Sequence, residues 1–203
     1  MASDRRIGGP DAKNRGVLLD AAEQLMLEDG YAAVTSRRVA ERAGLKPQLV
    51  HYYFRTMDEM FIEVFRRRAI QGLEAQAAAL ESRQPLWALW EFGIDPAGTQ
   101  LTMEFMGLAN HRKALRAEIA LYAEQFRAQQ VQAITTALQR YGYEVAEVPA
   151  VIWAVFATSV SRVLIMEQAL GMSAGHAEML AFCEDWLHRL EGERAPTATT
   201  ATG

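Results

Sequence analysis

Cysteine is almost missing from this 203-residue chain: Cys183 stands alone, so no internal disulfide can form, and a reducing compartment suits it. Histidine is scarce as well. Its 4 copies are scattered and, with a single thiol, offer none of the spacings that hold zinc, so neither a metal nor another cofactor is expected. Glycine-rich loops that cradle phosphate are missing too. No uninterrupted run of about eighteen apolar residues occurs, and MASDRRIGGP at the start has no apolar segment behind its basic residues. Both absences argue against a membrane span, a membrane partner or a secretory signal, leaving a soluble protein of the cytoplasm as the expectation. No stretch alternates apolar and polar residues as a half-buried strand does, and no internal repeat is visible. The reading is an all-α chain, 50% apolar and long enough to bury a real core.

Charge is modest, and its distribution says more than its sum. A net charge of −4 argues against a generic polyanion binder. Residues 1–68 hold 12 Lys/Arg against 10 Asp/Glu, while residues 69–203 hold 9 against 15. A mildly basic head on an acidic body suits a DNA reader with a separate partner domain. The surplus of +2 in the head is small, so tight binding needs two copies per duplex or well-placed phosphate contacts.

The stretch 35–54, TSRRVAERAGLKPQLVHYYF, organises the rest. Thr35 can cap a helix, because its hydroxyl accepts from a backbone N–H of the first turn. Val39, Ala40 and Ala43 follow at helical spacing. Gly44 tolerates the positive φ at which that helix must stop, and Pro47 opens a second helix where no N–H is needed. Val50, Tyr53 and Phe54 pack this second helix down, leaving Lys46, Gln48, His51 and Tyr52 on the opposite side. Helix, glycine turn and a second helix with an exposed polar face form a helix-turn-helix, whose second helix enters the DNA major groove. By local pattern alone, an ordinary helical hairpin fits as well.

The run TSRRVAERAGLKPQLVHYYFRTMDEMF, preceded by NRGVLLDAAEQLMLEDGYAAVT, resembles the DNA-binding domain of TetR-family transcriptional regulators over roughly residues 12 to 65. The resemblance implies that Pro47, Gln48 and His51 read base edges with Arg37 beside them, and that Ser36, Tyr52 and Thr56 grip phosphate. Lys46 is free to add a phosphate contact. Physically, Gln48 can pair bidentately with adenine and Arg37 with guanine, whereas phosphate contacts fix register without reading sequence. The chain departs from the family pattern at Lys46, where a small hydroxyl cap is frequent, at Leu49 in place of Thr, and at Met57 in place of Lys.

Around this core the sequence divides into a mobile arm (1–11), the helix-turn-helix DNA-binding domain (12–57), a helical effector-binding and dimerisation body (58–191) and a disordered, low-complexity tail (192–203). Arg5 and Arg6 of the arm could reach a groove. Thr56 and Glu59 form a capping box for a long helix that carries Arg66, Arg67 and Arg68, read as solvated surface. In the body, Trp87, Trp90, Phe105, Met106, Tyr122, Phe126, Trp153 and Phe156 are an unusual density of large side chains, with Asn110 placed to orient a polar end. TetR relatives bind a small effector in this domain, so these residues are the expected pocket, for a hydrophobic molecule. The helix expected after Pro149 is apolar nearly all round and must be covered on both sides. With the last helix it is expected to form the homodimer interface through Val151, Val155, Ser159, Phe182, Trp186 and Leu190.

Enzymatic readings fare poorly. Gly171-Met172-Ser173-Ala174-Gly175 fits the G-x-S-x-G elbow of serine hydrolases, but that chemistry needs a strand entering the turn. A helix enters here, and Ser173 is expected to cap the next one. No catalytic residues are assigned. The sequence reads as a ligand-responsive transcriptional regulator, a repressor that binds a palindromic operator as a dimer and leaves it on binding a hydrophobic effector. The competing class is a dimeric helical interaction module without DNA binding.

Overall fold

The computed structural model describes residues 13–143 and 148–195. The arm with Arg5 and Arg6 lies outside them, as does the tail beyond Ala195. Among the described residues there are nine α-helices and no strand: α1 (Lys13–Asp29), α2 (Ser36–Arg42), α3 (Pro47–Tyr53), α4 (Met57–Leu80), α5 (Pro85–Gly93), α6 (Pro96–Ala109), α7 (Lys113–Arg140), α8 (Ala150–Ala169) and α9 (His176–Glu191).

The chain divides into two compact units that do not follow the expected break at 57/58. One comprises the chain up to Gly72 with Gln100–Ala123; the other comprises Leu73–Thr99 and the chain from Glu124 on. The reason lies in helix length. Helices of 7 residues such as α2 and α3 are marginal alone and need a core to fold against. Leu18, Leu25 and Met26 of α1, with Val39, Val50 and Phe54, supply part of that core. Met60 and Val64 of α4, Phe105 and Leu108 of α6, and Leu115 of α7 complete it.

Ion pairs bind the same elements. Arg15 meets Glu63 at 2.8 Å, Arg66 meets Glu118 at 2.5 Å, and Arg67 bridges Asp20 and Glu23 at 2.6 and 3.0 Å. Arg68 lies 3.4 Å from Glu23. The three consecutive arginines are therefore packing partners rather than the solvated surface expected. Polar contacts also tie α6 to the end of α1. Glu104 accepts from the Tyr31 backbone N–H at 2.7 Å, and the Gln100 amide donates to the Leu27 carbonyl at 3.0 Å.

The second unit is built on Trp87 and Trp90 of α5, Ile134, Ala137 and Leu138 of α7, Ala150 and Ala154 of α8, and Cys183, Leu187 and Leu190 of α9. Its polar knot is Glu191. That carboxylate accepts from the backbone N–H groups of Leu86 and Trp87, at 3.0 and 2.9 Å, and so caps α5; it also accepts from the Tyr141 hydroxyl at 2.8 Å. Gln76, fully buried, donates to Gln129 at 2.8 Å and to the Phe126 carbonyl at 3.2 Å, and accepts from Gln130 at 3.1 Å.

Two expectations fail here. The tail does not come loose at 192: Trp87 donates to the Gly192 carbonyl at 3.2 Å, Ala195 donates to Gln84 at 2.8 Å, and Arg194 pairs with Glu91. Ser173 does not cap α9 with its side chain; Gly175 occupies the cap position, and Ser173 contributes only its carbonyl, to His176 N–H at 3.2 Å. α8 is long and apolar enough, by length and composition alone, to cross a membrane, with a mean hydropathy of 1.6. Thr158, Ser159, Ser161 and Arg162 break any unbroken apolar run along it, and the expectation of no membrane span is not contradicted.

Candidate nucleic-acid interface

The helix-turn-helix forms as its residues dictate. Thr35 Oγ1 accepts from Arg38 N–H at 3.3 Å and starts α2. Gly44 turns the chain at φ +64°, a conformation that costs a side-chain-bearing residue about 1 kcal/mol or more. Leu45 N–H then closes on the Ala40 carbonyl at 2.9 Å, and Pro47 opens α3 with Lys46 at the cap position. Inward, Val50, Tyr53 and Phe54 are buried, and Arg15 lies over the Phe54 ring at 5.2 Å. With that face fixed, the helical period points Lys46, Pro47, Gln48, His51 and Tyr52 outward, all exposed.

The residues expected to touch DNA thus share one surface. Tyr52 is 49% exposed, its ring held edge-on against Tyr53 at 5.0 Å. Arg37 and Thr56 are exposed, and Ser36 is half-buried at the start of α2. Thr56 Oγ1 accepts from Glu59 N–H at 3.1 Å, which leaves its own hydroxyl hydrogen available to a phosphate oxygen. Glu59 reaches back to the N–H of Arg55 at 2.9 Å, one residue earlier than the capping box predicts.

The electrostatics are sharper than a surplus of +2 suggests. Arg38 is neutralised by Asp29 at 2.5 Å and Arg42 by Glu28 at 2.6 Å. The Arg42 guanidinium holds the Glu28 carboxyl below its usual range. Arg37, Lys46 and Arg55, by contrast, have no carboxylate partner among the described residues. Glu41, one turn beyond Arg37, is exposed and dilutes that charge. Pairing elsewhere in the head therefore concentrates the unbalanced positive charge around α3. Arg55 escaped the sequence reading; a basic residue directly after the buried Phe54 was the available signal.

Residues 18–64 match the model of the "Bacterial regulatory proteins, tetR family", and that span contains all of α2 and α3. Over residues 18–64 the chain carries the DNA-binding head of TetR-family regulators. The HTH-type transcriptional regulator BetI of Rhizobium meliloti (strain 1021) is 27% identical over 128 residues, a match that spans 59% of this chain and 63% of BetI. The fold continues beyond the matched head. A transcriptional regulator from Saccharomonospora viridis in complex with choline superposes with a TM-score of 0.76, at 18% identity over 89% of this chain and 98% of that one. A TetR-family regulator from Rhodococcus sp. gives 0.71 at 17% identity, covering 89% and 100%.

Outside the matched head, the remaining expected residues are placed less simply. Of the effector set, Phe105, Met106, Asn110 and Tyr122 belong to the first unit; Trp87, Trp90, Phe126, Trp153 and Phe156 belong to the second. Phe105 and Tyr122 both meet Phe65 edge-on, at 5.3 and 5.8 Å. Asn110 and Met106 are exposed. Phe126 stacks on Phe92 at 6.3 Å, and Trp153 on Trp186 at 4.5 Å. Trp87 and Trp90 are buried in the second core. Much of the set is thus packing within its own unit.

The dimer set divides as well. Val151, Val155, Ser159 and Phe182 are exposed, with Phe182 at 62%. Leu190, however, is buried in the core of its own subunit, and Trp186 is half-buried against Trp153. The residues of α9 expected at the interface thus lie on two faces, because a helix side chain one position off the buried side turns by about 100°.

Proposed function

We propose that this chain is a homodimeric transcriptional repressor of the cytoplasm that binds a palindromic operator and leaves it on binding a hydrophobic small molecule. The observation that carries the reading is the outward row Lys46, Pro47, Gln48, His51 and Tyr52 on a helix fixed from behind, flanked by cations without carboxylate partners. In this arrangement Gln48, His51 and Arg37 read base edges, while Ser36, Lys46, Tyr52 and Thr56 hold phosphates.

Dimerisation is supported by the exposed apolar side of α8 and α9. Val151, Ile152, Val155, Phe156 and Phe182 stand 39–62% exposed, too much contiguous apolar surface for a lone soluble subunit. A two-fold pairing through this face would explain α8 without a membrane, and symmetric heads then require half-sites a helical turn or more apart. The choline-bound relative supports a small-molecule site in a protein of this fold. Here the ligand is assigned to the helical body outside 12–57, and no cofactor is involved. Release follows if the effector binds better to a head spacing that DNA rejects. α4 is the lever, with the Glu104 and Gln100 bonds to the end of α1 as a second link.

Selection of bound duplexes from a random pool, followed by titration against salt, tests this. A two-fold-symmetric sequence should emerge, with affinity falling steeply as salt rises. Enrichment of no sequence and no salt dependence would leave the interaction-module reading in its place.

A further inference from the structure

The second unit contains cations that nothing in it explains. Arg127, on α7, has its Nη1 shut off from solvent with no hydrogen-bond acceptor. Arg162, on α8, is exposed along part of its side chain, yet surrounding atoms desolvate its guanidinium and the positive charge of Arg127 acts on it, both pushing it below its ordinary value. Neither arginine has a carboxylate partner among the described residues, although residues 73–99 and 124–203 hold 13 Asp/Glu against 6 Lys/Arg. Acids are abundant there; none of the described ones is placed here. A guanidinium with a buried orphan donor costs the free protein stability.

Neighbouring contacts bring both to the same end of α5. Phe126, which precedes Arg127, stacks on Phe92 at 6.3 Å. Ser161, which precedes Arg162, lies against Gly93, where a Cβ would stand 3.4 Å from its hydroxyl. The other buried side-chain group of this unit without a partner is also a donor, the Nε1–H of Trp90, on the same helix. Unused donors on residues next in sequence or on the same helix to a stacked aromatic pair suit a molecule with acceptor oxygens at one end and an apolar remainder. Guanidinium is the side chain best shaped for an oxyanion, through paired N–H donors.

We propose that Arg127 and Arg162 form the anion-holding part of the effector site, so that the effector is an organic acid whose carboxylate lies against these arginines and whose apolar portion lies against Phe92 and Phe126. The proposal rests on the reading that the helical body binds a small effector, and it narrows that reading to one charge class. It also separates this chain from the choline-bound relative, since a quaternary ammonium would be repelled by such a site.

The test uses the full chain and matched probes that share a tail and differ in the head: octanoate, octanol and octyltrimethylammonium, and 3-phenylpropionate with its alcohol and amine. Calorimetry and melting curves should show the acids binding and raising Tm, with the alcohols about tenfold weaker or more and the cations inert. Arg162→Gln and Arg127→Met should each weaken the acids about tenfold or more while leaving alcohol binding unchanged. Without any probe, both variants should melt at or above the wild-type temperature, because each removes an uncompensated charge.

Acids bound no better than alcohols, or bound equally by the variants, would overturn the proposal. So would a fall of several degrees in the unliganded variants, which would make the arginines structural. Conversion of the dimer to single subunits by Arg162→Gln would do the same, by assigning that arginine to a carboxylate of the second copy. If alcohols or cations bind and acids do not, the effector site survives with its charge class reversed. If none of the probes shifts Tm or DNA affinity, the anion site and the effector reading beneath it fall together.

Discussion

The two units differ in what they leave unpaired. In the first, Arg15, Arg38, Arg42, Arg66, Arg67, Arg68 and Arg112 each face a carboxylate, and Arg37, Lys46 and Arg55, in and beside α2 and α3, are among the cations left over. In the second, carboxylate pairs form along or beside α9, as His176–Glu167 at 2.8 Å, Arg189–Asp185 and Arg194–Glu91. Its unmatched groups include an apolar face on α8 and α9 and the arginine pair, of which Arg127 has a buried donor without an acceptor. A folded chain tends to satisfy the groups it buries or crowds. The surfaces it leaves unsatisfied are therefore the support for the partners proposed above: polyanion for the first unit, a second subunit and a small molecule for the second.

Substitutions can separate these roles. The largest effect belongs to the inward side of α3. Phe54→Ala should destabilise the first unit by about 3–5 kcal/mol, read by denaturant unfolding, because a fully buried ring leaves a cavity at the centre of its core. Next comes the apolar face of the second unit. Val155→Asp with Phe182→Asp should give single subunits in sedimentation and lower affinity for the palindrome about 100-fold or more, since the heads then bind singly. Stability of the isolated subunit should hardly change, as both residues are exposed.

Smaller again, Gln48→Ala should cost about 1–3 kcal/mol at a single base-pair position and relax the preference there, while leaving the melting temperature alone. Lys46→Ala should weaken all duplexes alike and reduce the slope of log affinity against log salt by about one. A Lys46 variant that altered sequence preference would mean the cation rim reads bases, contrary to its assignment.

The helix-turn-helix was legible because its information is local. A capping threonine, a glycine at positive φ and a proline at a first turn act over a few residues, and they place Lys46 through Tyr52 outward without reference to the rest of the chain. The unit boundary was not legible, because it depends on Met60, Phe105 and Leu115 meeting α1 from separate helices. Along α7 the apolar stripe serves one core through Leu115 and the other through Ile134, Ala137 and Leu138, so no single periodicity runs through it. Composition does not tell a pocket aromatic from a packing one: Phe105 and Trp90 look alike in sequence and are buried in separate cores. Arg127 and Arg162 gave no sequence signal at all, since their distinction is the lack of a carboxylate neighbour in space.

The finest contrast between the units lies in how each responds to pH. In the first, the Arg66 guanidinium holds the Glu118 carboxyl below its usual range, so that pair contributes stability above about pH 4.5 and loses it as pH falls through the lowered value. In the second, burial first, and then the hydrogen bond to Glu191, push the Tyr141 hydroxyl up to about 12. A raised value means that folding favours the neutral phenol. Its contribution is therefore full below the ordinary tyrosine value of about 10 and is lost as pH rises from there through about 12. Tyr141→Phe should cost about 1 kcal/mol at pH 9, the net worth of one hydrogen bond, and the gap from wild type should close across the alkaline range. Melting curves of the two proteins at stepped pH measure it. A gap that stayed constant to the top of the range would mean that Tyr141 stays protonated there and that the Glu191 knot does not set the alkaline limit of the second unit.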